Sequence, residues 1–322
     1  MREIDWLLEG ENWIEYRTRV DLLGESFSED EELAILEGIA TNDSIKKIIV
    51  DLDNWSTTVM KNHKDSKHPI HKLAFLADIG MNIKDNSIKQ IVSEILGHKS
   101  QEGLFQVLAN IPEHFGGTGK DEFAWMLCDA PTVLYALVKM DATIEKDNID
   151  AIRYLCSLQD DNGWRCKVSD NLGKFRGPGK KADPCPYANL LMLKLLAELK
   201  TNEFDREVDI GINSILDLWE HRSERKEYLF GMGTDFKKMK APLIWFDILH
   251  VLDVLSKYPK VFADRRFKEI VQILEDKIYS DDRLKAESIY MPWKSWEFSN
   301  KKEHSRWLTF LGYRILKRVG TL

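Results

Sequence analysis

Apolar residues along this chain fall into two kinds of segment that alternate. The first kind is apolar on most sides and opens at a proline or a polar residue: 15–24, 68–80, 129–140, 183–196, 241–255 and 304–319. The second carries a one-sided stripe of Ile, Leu and Val set against Lys, Glu and Asp at helical spacing: 44–53, 87–96, 148–158, 208–218 and 267–278. The first kind predicts buried inner helices and the second amphipathic outer ones. Pro69, Pro131, Pro184, Pro186 and Pro242 stand where first-turn prolines belong, because the missing N–H has no helical partner there. Ser44 and Ser87 are the predicted N-caps of their helices. Several outer segments are followed by a turn with an aromatic, at 101–105, 159–164, 228–233 and 290–296. The inner segments recur roughly every 55 to 60 residues, the mark of a repeat architecture. No strand-like alternation of useful length occurs, so the expected class is all-α. About six helix pairs predict one domain over 1–322, an (α/α)6 toroid or an open solenoid. The unusually apolar inner set favours closure, since two-shell packing buries it.

Composition narrows the picture. A chain of 322 residues can bury a large core, and 43 % hydrophobic with 31 % charged residues is ordinary for a globular protein. No apolar run approaches the length of about 18 residues that a membrane span needs, and the first residues, M-R-E-I-D-W-L-L-E-G, are acidic and broken. Neither a signal peptide nor an integral membrane segment is expected, and the cytoplasm is the expected location. A net charge of -7 argues against a nucleic-acid partner, which needs a basic face. Cys128, Cys156, Cys166 and Cys185 are too few and too irregularly spaced for a disulfide scaffold. A reactive thiol or a metal site is the alternative they leave open.

The element Q-D-D-N-G-W at 159–164 resembles the Q-W repeat of squalene-hopene cyclases and the related repeats of protein prenyltransferase β subunits, which share an (α/α)6 barrel. Q-E-G-L-F at 101–105 is a looser copy. The resemblance implies that Gln159 ties helix ends and that Trp164 stacks beside it. It also implies an enzyme of the prenyltransferase or terpene cyclase class, a transferase or cyclase that binds a small apolar, isoprenoid-type substrate with an anionic head. Prenyltransferases hold a catalytic zinc with an aspartate and a cysteine two apart at the start of an inner helix, plus a histidine from the next repeat. Asp183-Pro184-Cys185, behind Lys180 and Lys181, is similar to the first half of that site, so the resemblance implies zinc at Asp183 and Cys185. The matching stretch of the next repeat, K-A-P-L-I-W-F-D, offers no histidine. His250 lies about two helical turns deeper, and His304 belongs to the repeat after. The other reading of the same residues makes Asp183 an N-cap and Cys185 a small core side chain.

In a toroid the starts of the inner helices gather at the mouth of a central cavity. The catalytic candidates there are Asp129, Asp183, Cys185, Asp247 and His304. The substrate-binding candidates are Arg17, His71, Tyr187, Lys240, Trp245, Arg306 and Trp307. Arg17, Lys240 and Arg306, with the positive ends of helices, suit an anionic group, and the aromatics suit a wall that stabilises cations. Two alternatives remain: a carbohydrate-active enzyme with a carboxylate pair from Asp129, Asp183, Asp247 and Glu303, and a non-catalytic binding or scaffold protein. D-L-D-N at 51–54 is one acid short of the D-x-D-D motif of class II terpene cyclases and faces solvent by its periodicity. F-G-G-T-G-K-D at 115–121 departs from a phosphate loop at its first glycine and at the residue after lysine. Pro69 takes His63, His68 and His71 out of a common helical register, which argues against zinc there. The basic loop 174–181, beside Asp183, is a candidate lid.

Overall fold

A computed structural model describes residues 2–142, 145–175, 182–224 and 230–322. In chain order its helices are α1 (Arg2–Leu8), α2 (Asn12–Arg17), α3 (Glu29–Ala40), α4 (Asp43–Leu52), α5 (Pro69–Asp78), α6 (Asn86–Leu96), α7 (Ala130–Lys139), α8 (Glu145–Ser157), α9 (Pro186–Leu196), α10 (Asp205–Glu220), α11 (Ile248–Leu255), α12 (Arg265–Tyr279) and α13 (Arg306–Val319). A π-helical turn, Thr18–Leu23, continues α2. The described sheets are two antiparallel pairs, β1 (Val107–Ala109) with β2 (Glu122–Ala124) and β3 (Gln159–Asp160) with β4 (Gly163–Trp164). The chain is thus mostly helical, as its patterning predicts. Among the described residues no helix is long and apolar enough to cross a membrane. Parts of two expectations lie outside the described residues: 176–181, with Lys180 and Lys181, of the basic loop 174–181, and 228–229 of the aromatic turn 228–233.

All six inner and all five outer segments are helical. Every residue of α9 and of α11 is buried, whereas α12 buries only the stripe Phe267, Ile270, Val271, Leu274 and Ile278. The N-caps of the inner helices are Glu11, His68, Asp129, Cys185, Asp247 and Ser305, at successive intervals of 57, 61, 56, 62 and 58 residues. Three local expectations are corrected. Ser44 and Ser87 lie inside their helices, where their backbone N–H groups donate to Asn42 and Asp85, whose shorter reach to the first turn makes them the caps. Pro242 follows a cis peptide bond in the loop ahead of α11, and that helix begins six residues later, at the Asp247 cap. The Gln159–Trp164 turn is a small β-hairpin, in which Gln159 pairs with Trp164.

The chain divides into two compact units, Met1–Ile45 with Gly231–Leu322 and Lys46–Phe230. In the second, α5 packs on α7, α7 on α9, and α10 covers α9. In the first, α13 packs on α11 and on α2 with its π turn. An aromatic cluster of Trp13, Trp293, Trp296, Phe298 and Trp307 fills the first unit, with Trp13 and Trp307 centroids 4.9 Å apart.

Each unit carries one buried polar layer through its three inner helices. In the second unit Lys194 Nζ lies 3.1 Å from Asp78 Oδ2, Tyr135 OH donates to Asp78 Oδ1, and the ammonium sits 4.4 Å from the Tyr135 ring centroid. In the first, Arg314 reaches Asp253 at 2.8 Å and Asp21 at 3.2 Å, with Arg17 on Asp21 at 2.5 Å and Arg318 on Asp253 at 2.9 Å. Burial alone raises the Asp21 carboxyl, but Arg17 and Arg314 outweigh it and bring it down to about 2. Both layers use the same depths. Asp78 and Asp21 stand ten residues past their caps, Tyr135 and Asp253 six, Lys194 and Arg314 nine.

Removing one partner of a buried pair strands the other charge. Lys194→Met is therefore expected to lower the unfolding free energy by about 3–5 kcal/mol. Lys194→Met combined with Asp78→Leu and Tyr135→Phe should recover most of that loss. Urea unfolding of the three proteins checks both statements, and an additive loss in the combined variant would refute the pairing.

Candidate functional site

Three of the four cysteines meet in the second unit. The segment around Trp125–Cys128 runs antiparallel to Cys166–Ser169: Leu127 N–H donates to Lys167 O at 2.9 Å, Ser169 N–H to Trp125 O at 2.9 Å, and Met126 bridges Val168. This pairing brings Cys128 beside Cys166. The Trp164 turn brings Cys185 to them. Asn189, in α9 and fully buried, accepts from Trp164 N–H at 3.1 Å and donates to Trp164 O at 2.9 Å and to Cys185 O at 2.8 Å. Cys185 N–H adds a bond to Trp164 O at 2.7 Å. Gly163 has φ +119°, and a Cβ there would stand 2.5 Å from Asn189 Oδ1, so the clamp requires glycine. Gln159 Nε2 donates to Glu207 O in the first turn of α10, and Trp164 Nε1 to Leu155 O in the last turn of α8.

Cys185 is the N-cap of α9, and its Sγ accepts from Ala188 N–H at 3.5 Å. The neighbouring Cys128 and Cys166 thiols, with the α9 backbone, hold the Cys185 thiol well below its ordinary pKa despite burial. Those two neighbours show the opposite shift: hydrogen bonding and burial push Cys128 up, and Cys166 is raised by its bond to Cys185 and by burial. Cys156, in α8, is pushed up by burial.

Asp129, the residue after Cys128, is 1 % exposed. Its Oδ1 accepts from Met126 N–H at 2.8 Å, while its Oδ2 is buried with no hydrogen-bond partner among the described residues. Burial raises the carboxyl to about 8, so it is a neutral acid at pH 7. The His63 imidazole is lowered to about 4 by desolvation and is pulled the other way by Cys185. Its ring centroid lies 6.4 Å from that of Tyr187, and its carbonyl accepts from His71 Nε2 at 3.0 Å.

Of the residues singled out in the sequence, Asp129, Cys185 and Tyr187 belong to this neighbourhood, with His71 supporting His63 from behind. Asp183 is half-buried, two residues ahead of the cap, and Cys185 takes the capping role expected of it. Asp247, Lys240 and Trp245 lie in the first unit. Asp247 caps α11 through His250 N–H at 3.1 Å, has no hydrogen-bond partner for its buried Oδ2 among the described residues, and is raised by burial to about 7 against the pull of the His250 N–H and Lys240. Lys240 Nζ sits 3.4 Å from the Tyr290 ring centroid, and Trp245 N–H donates to Tyr290 OH at 3.1 Å. Arg17 pairs with Asp21, Arg306 donates to Trp6 O at 2.8 Å, Trp307 is core, His304 pairs with Asp281 at 2.7 Å, and exposed Glu303 accepts from Asn300 at 3.1 Å. Cys128 and Cys166 are the members that sequence reading left out. Their signal was positional: one directly precedes the cap of α7, and the other follows the Trp164 turn by two.

The zinc set implied by resemblance does not fit. Among the described residues no group of three or more His, Cys, Asp or Glu is placed to hold a metal ion. No protein-family model matches the chain, and no curated protein does either.

The raised Asp129 carboxyl means that the native state keeps a proton that the unfolded state releases near pH 4. Native-state stability from this group falls as pH rises from about 4 to about 8. Asp129→Asn should remove that slope, so its unfolding free energy gains on the wild type across this window. Denaturant titrations at several pH values check it, and parallel curves would contradict the assignment.

Proposed function

We propose that the chain is a thiol-dependent enzyme in which Cys185 is the nucleophile. The observation that carries the reading is the Cys185 sulfur at the start of a buried helix, accepting from Ala188 N–H and neighboured by the Cys128 and Cys166 thiols. A thiolate so solvated by fixed donors attacks without waiting for a base. Asp129, neutral at pH 7, is placed to return a proton.

For the substrate and the shell we keep the class that the Q-W resemblance implies. The architecture proposed is an (α/α)6 toroid, supported by six inner-helix caps at near-constant intervals. Gln159 and Trp164 also tie helix ends in the manner that resemblance implies. The substrate proposed is an apolar chain with an anionic head. The Cys185 sulfur bonds its terminal carbon, the carbon–oxygen bond breaks, and the electron pair leaves with the head group, which takes the Asp129 proton. Tyr187, two residues past Cys185, and His63, with ring centroids 6.4 Å apart, are the aromatic groups proposed to line the substrate path.

Limiting iodoacetamide across pH 6–9 is expected to label Cys185 first, with an apparent pKa below the ordinary thiol value of about 8.5. Farnesyl diphosphate should leave a thioether adduct on Cys185 and release diphosphate. Labelling of Cys185 no faster than of Cys156 would remove the nucleophile. Fast labelling without binding or adduct would remove only the isoprenoid substrate.

A further inference from the structure

A nucleophile needs one sulfur, and this site holds three. Cys166 stands on non-helical backbone between the Trp164 turn and the Val168 bridge and is half-buried, whereas Cys128 is buried directly ahead of α7. The Met126–Val168 bridge sets Cys128 opposite Cys166, Cys185 N–H donates to Trp164 O at 2.7 Å two residues ahead of Cys166, and all three are free thiols. Thiols gathered in this way by the backbone reach the disulfide length of about 2.05 Å by side-chain rotation and a backbone shift. The loop that bears Cys166 accommodates such a shift more readily than the start of a helix. Next in the chain to Cys128, Asp129 has a buried Oδ2 with no hydrogen-bond partner among the described residues.

From this arrangement we infer that the three-thiol centre reduces hydroperoxides, with Cys185 as the attacking sulfur and Cys166 as the resolving one. The inference rests on the reading of Cys185 as a thiolate, but not on its reaction with an isoprenoid. The Cys185 sulfur attacks the terminal oxygen of R–O–O–H. An S–O bond forms, the O–O bond breaks, and the electron pair leaves on the alkoxide, which takes the Asp129 proton and departs as an alcohol. Cys185 is then a sulfenic acid. Cys166 attacks the Cys185 sulfur, an S–S bond forms, and the S–O bond breaks. The departing hydroxide takes the Cys166 proton as water. Asp129 recovers a proton from solvent. One hydroperoxide and two thiols become one alcohol, one water and one disulfide, and a dithiol reductant returns the centre to its starting state.

The test uses the full chain, reduced and desalted, with cumene hydroperoxide and hydrogen peroxide as probes and dithiothreitol as the reductant. Peroxide consumption should turn over, and non-reducing peptide mapping should find Cys185 joined to Cys166. Cys166→Ser should stop turnover and leave a sulfenic acid on Cys185 that dimedone traps. Cys185→Ser should abolish consumption, and Cys156→Ser should leave it unchanged. Consumption that survives Cys185→Ser overturns the inference, as does stoichiometric zinc on the three sulfurs. Rapid iodoacetamide labelling of Cys185 with neither cross-link nor trapped sulfenic acid overturns the peroxide chemistry alone. Failure of both labelling and oxidation overturns the thiolate reading beneath it.

Discussion

A helix buried on every side begins with four backbone N–H groups that water cannot reach, and each must find an acceptor. That constraint organises this protein. Four of the six inner helices have a side chain placed for it, His68, Cys185, Asp247 and Ser305 each accepting from the first turn, while Asp129 at the start of α7 accepts from Met126 N–H ahead of the helix. At α13 the task needs a second group. Glu297 accepts from Arg306 and Trp307 N–H and from Ser305 Oγ, and burial raises its carboxyl to about 7. Capping residues are polar by necessity, and here they are also buried. A buried polar group has its proton affinity displaced, which is why the structural requirement leaves reactive groups where the helices begin.

The same helices carry charge deeper in. Lys194 and Asp78 are 2 % and 5 % exposed, and Arg314 with Asp253 is comparably enclosed. An isolated ion in such surroundings is strongly disfavoured, so each cation is matched by carboxylates from neighbouring helices. A pair of that kind tolerates little sliding of one helix along another. Use of equal depths past the cap in both units therefore sets the register of the inner helices by electrostatics as well as by packing.

Between cap and core stands the Asn189 amide, which spends all its bonding capacity on Trp164 and Cys185. It converts a tight turn and a helix start into one rigid piece. Cys185 is kept near Cys166 because that piece is held, its N–H on Trp164 O two residues ahead of Cys166. An element that reads as architecture in the sequence is thereby the support of the site.

The alternation of apolar and striped segments determined that the chain is helical, where its helices lie, and which are enclosed, because helix burial follows from a local period of side chains. It also determined that Asp129, Cys185 and Asp247 stand at helix starts. It misplaced caps by one or two residues at Ser44, Ser87 and Asp183, since several residues near a helix start can offer an oxygen and only backbone geometry selects one. It extended α11 too far toward Pro242 for the same reason. The meeting of Cys128, Cys166 and Cys185 was decided by tertiary structure alone. It depends on an antiparallel pairing of two irregular segments and on an asparagine clamp, and neither leaves a periodic trace in the chain. Shifts in acidity depend on burial in three dimensions, so a carboxyl raised to about 8 and one lowered to about 2 are the same residue type until the fold surrounds them.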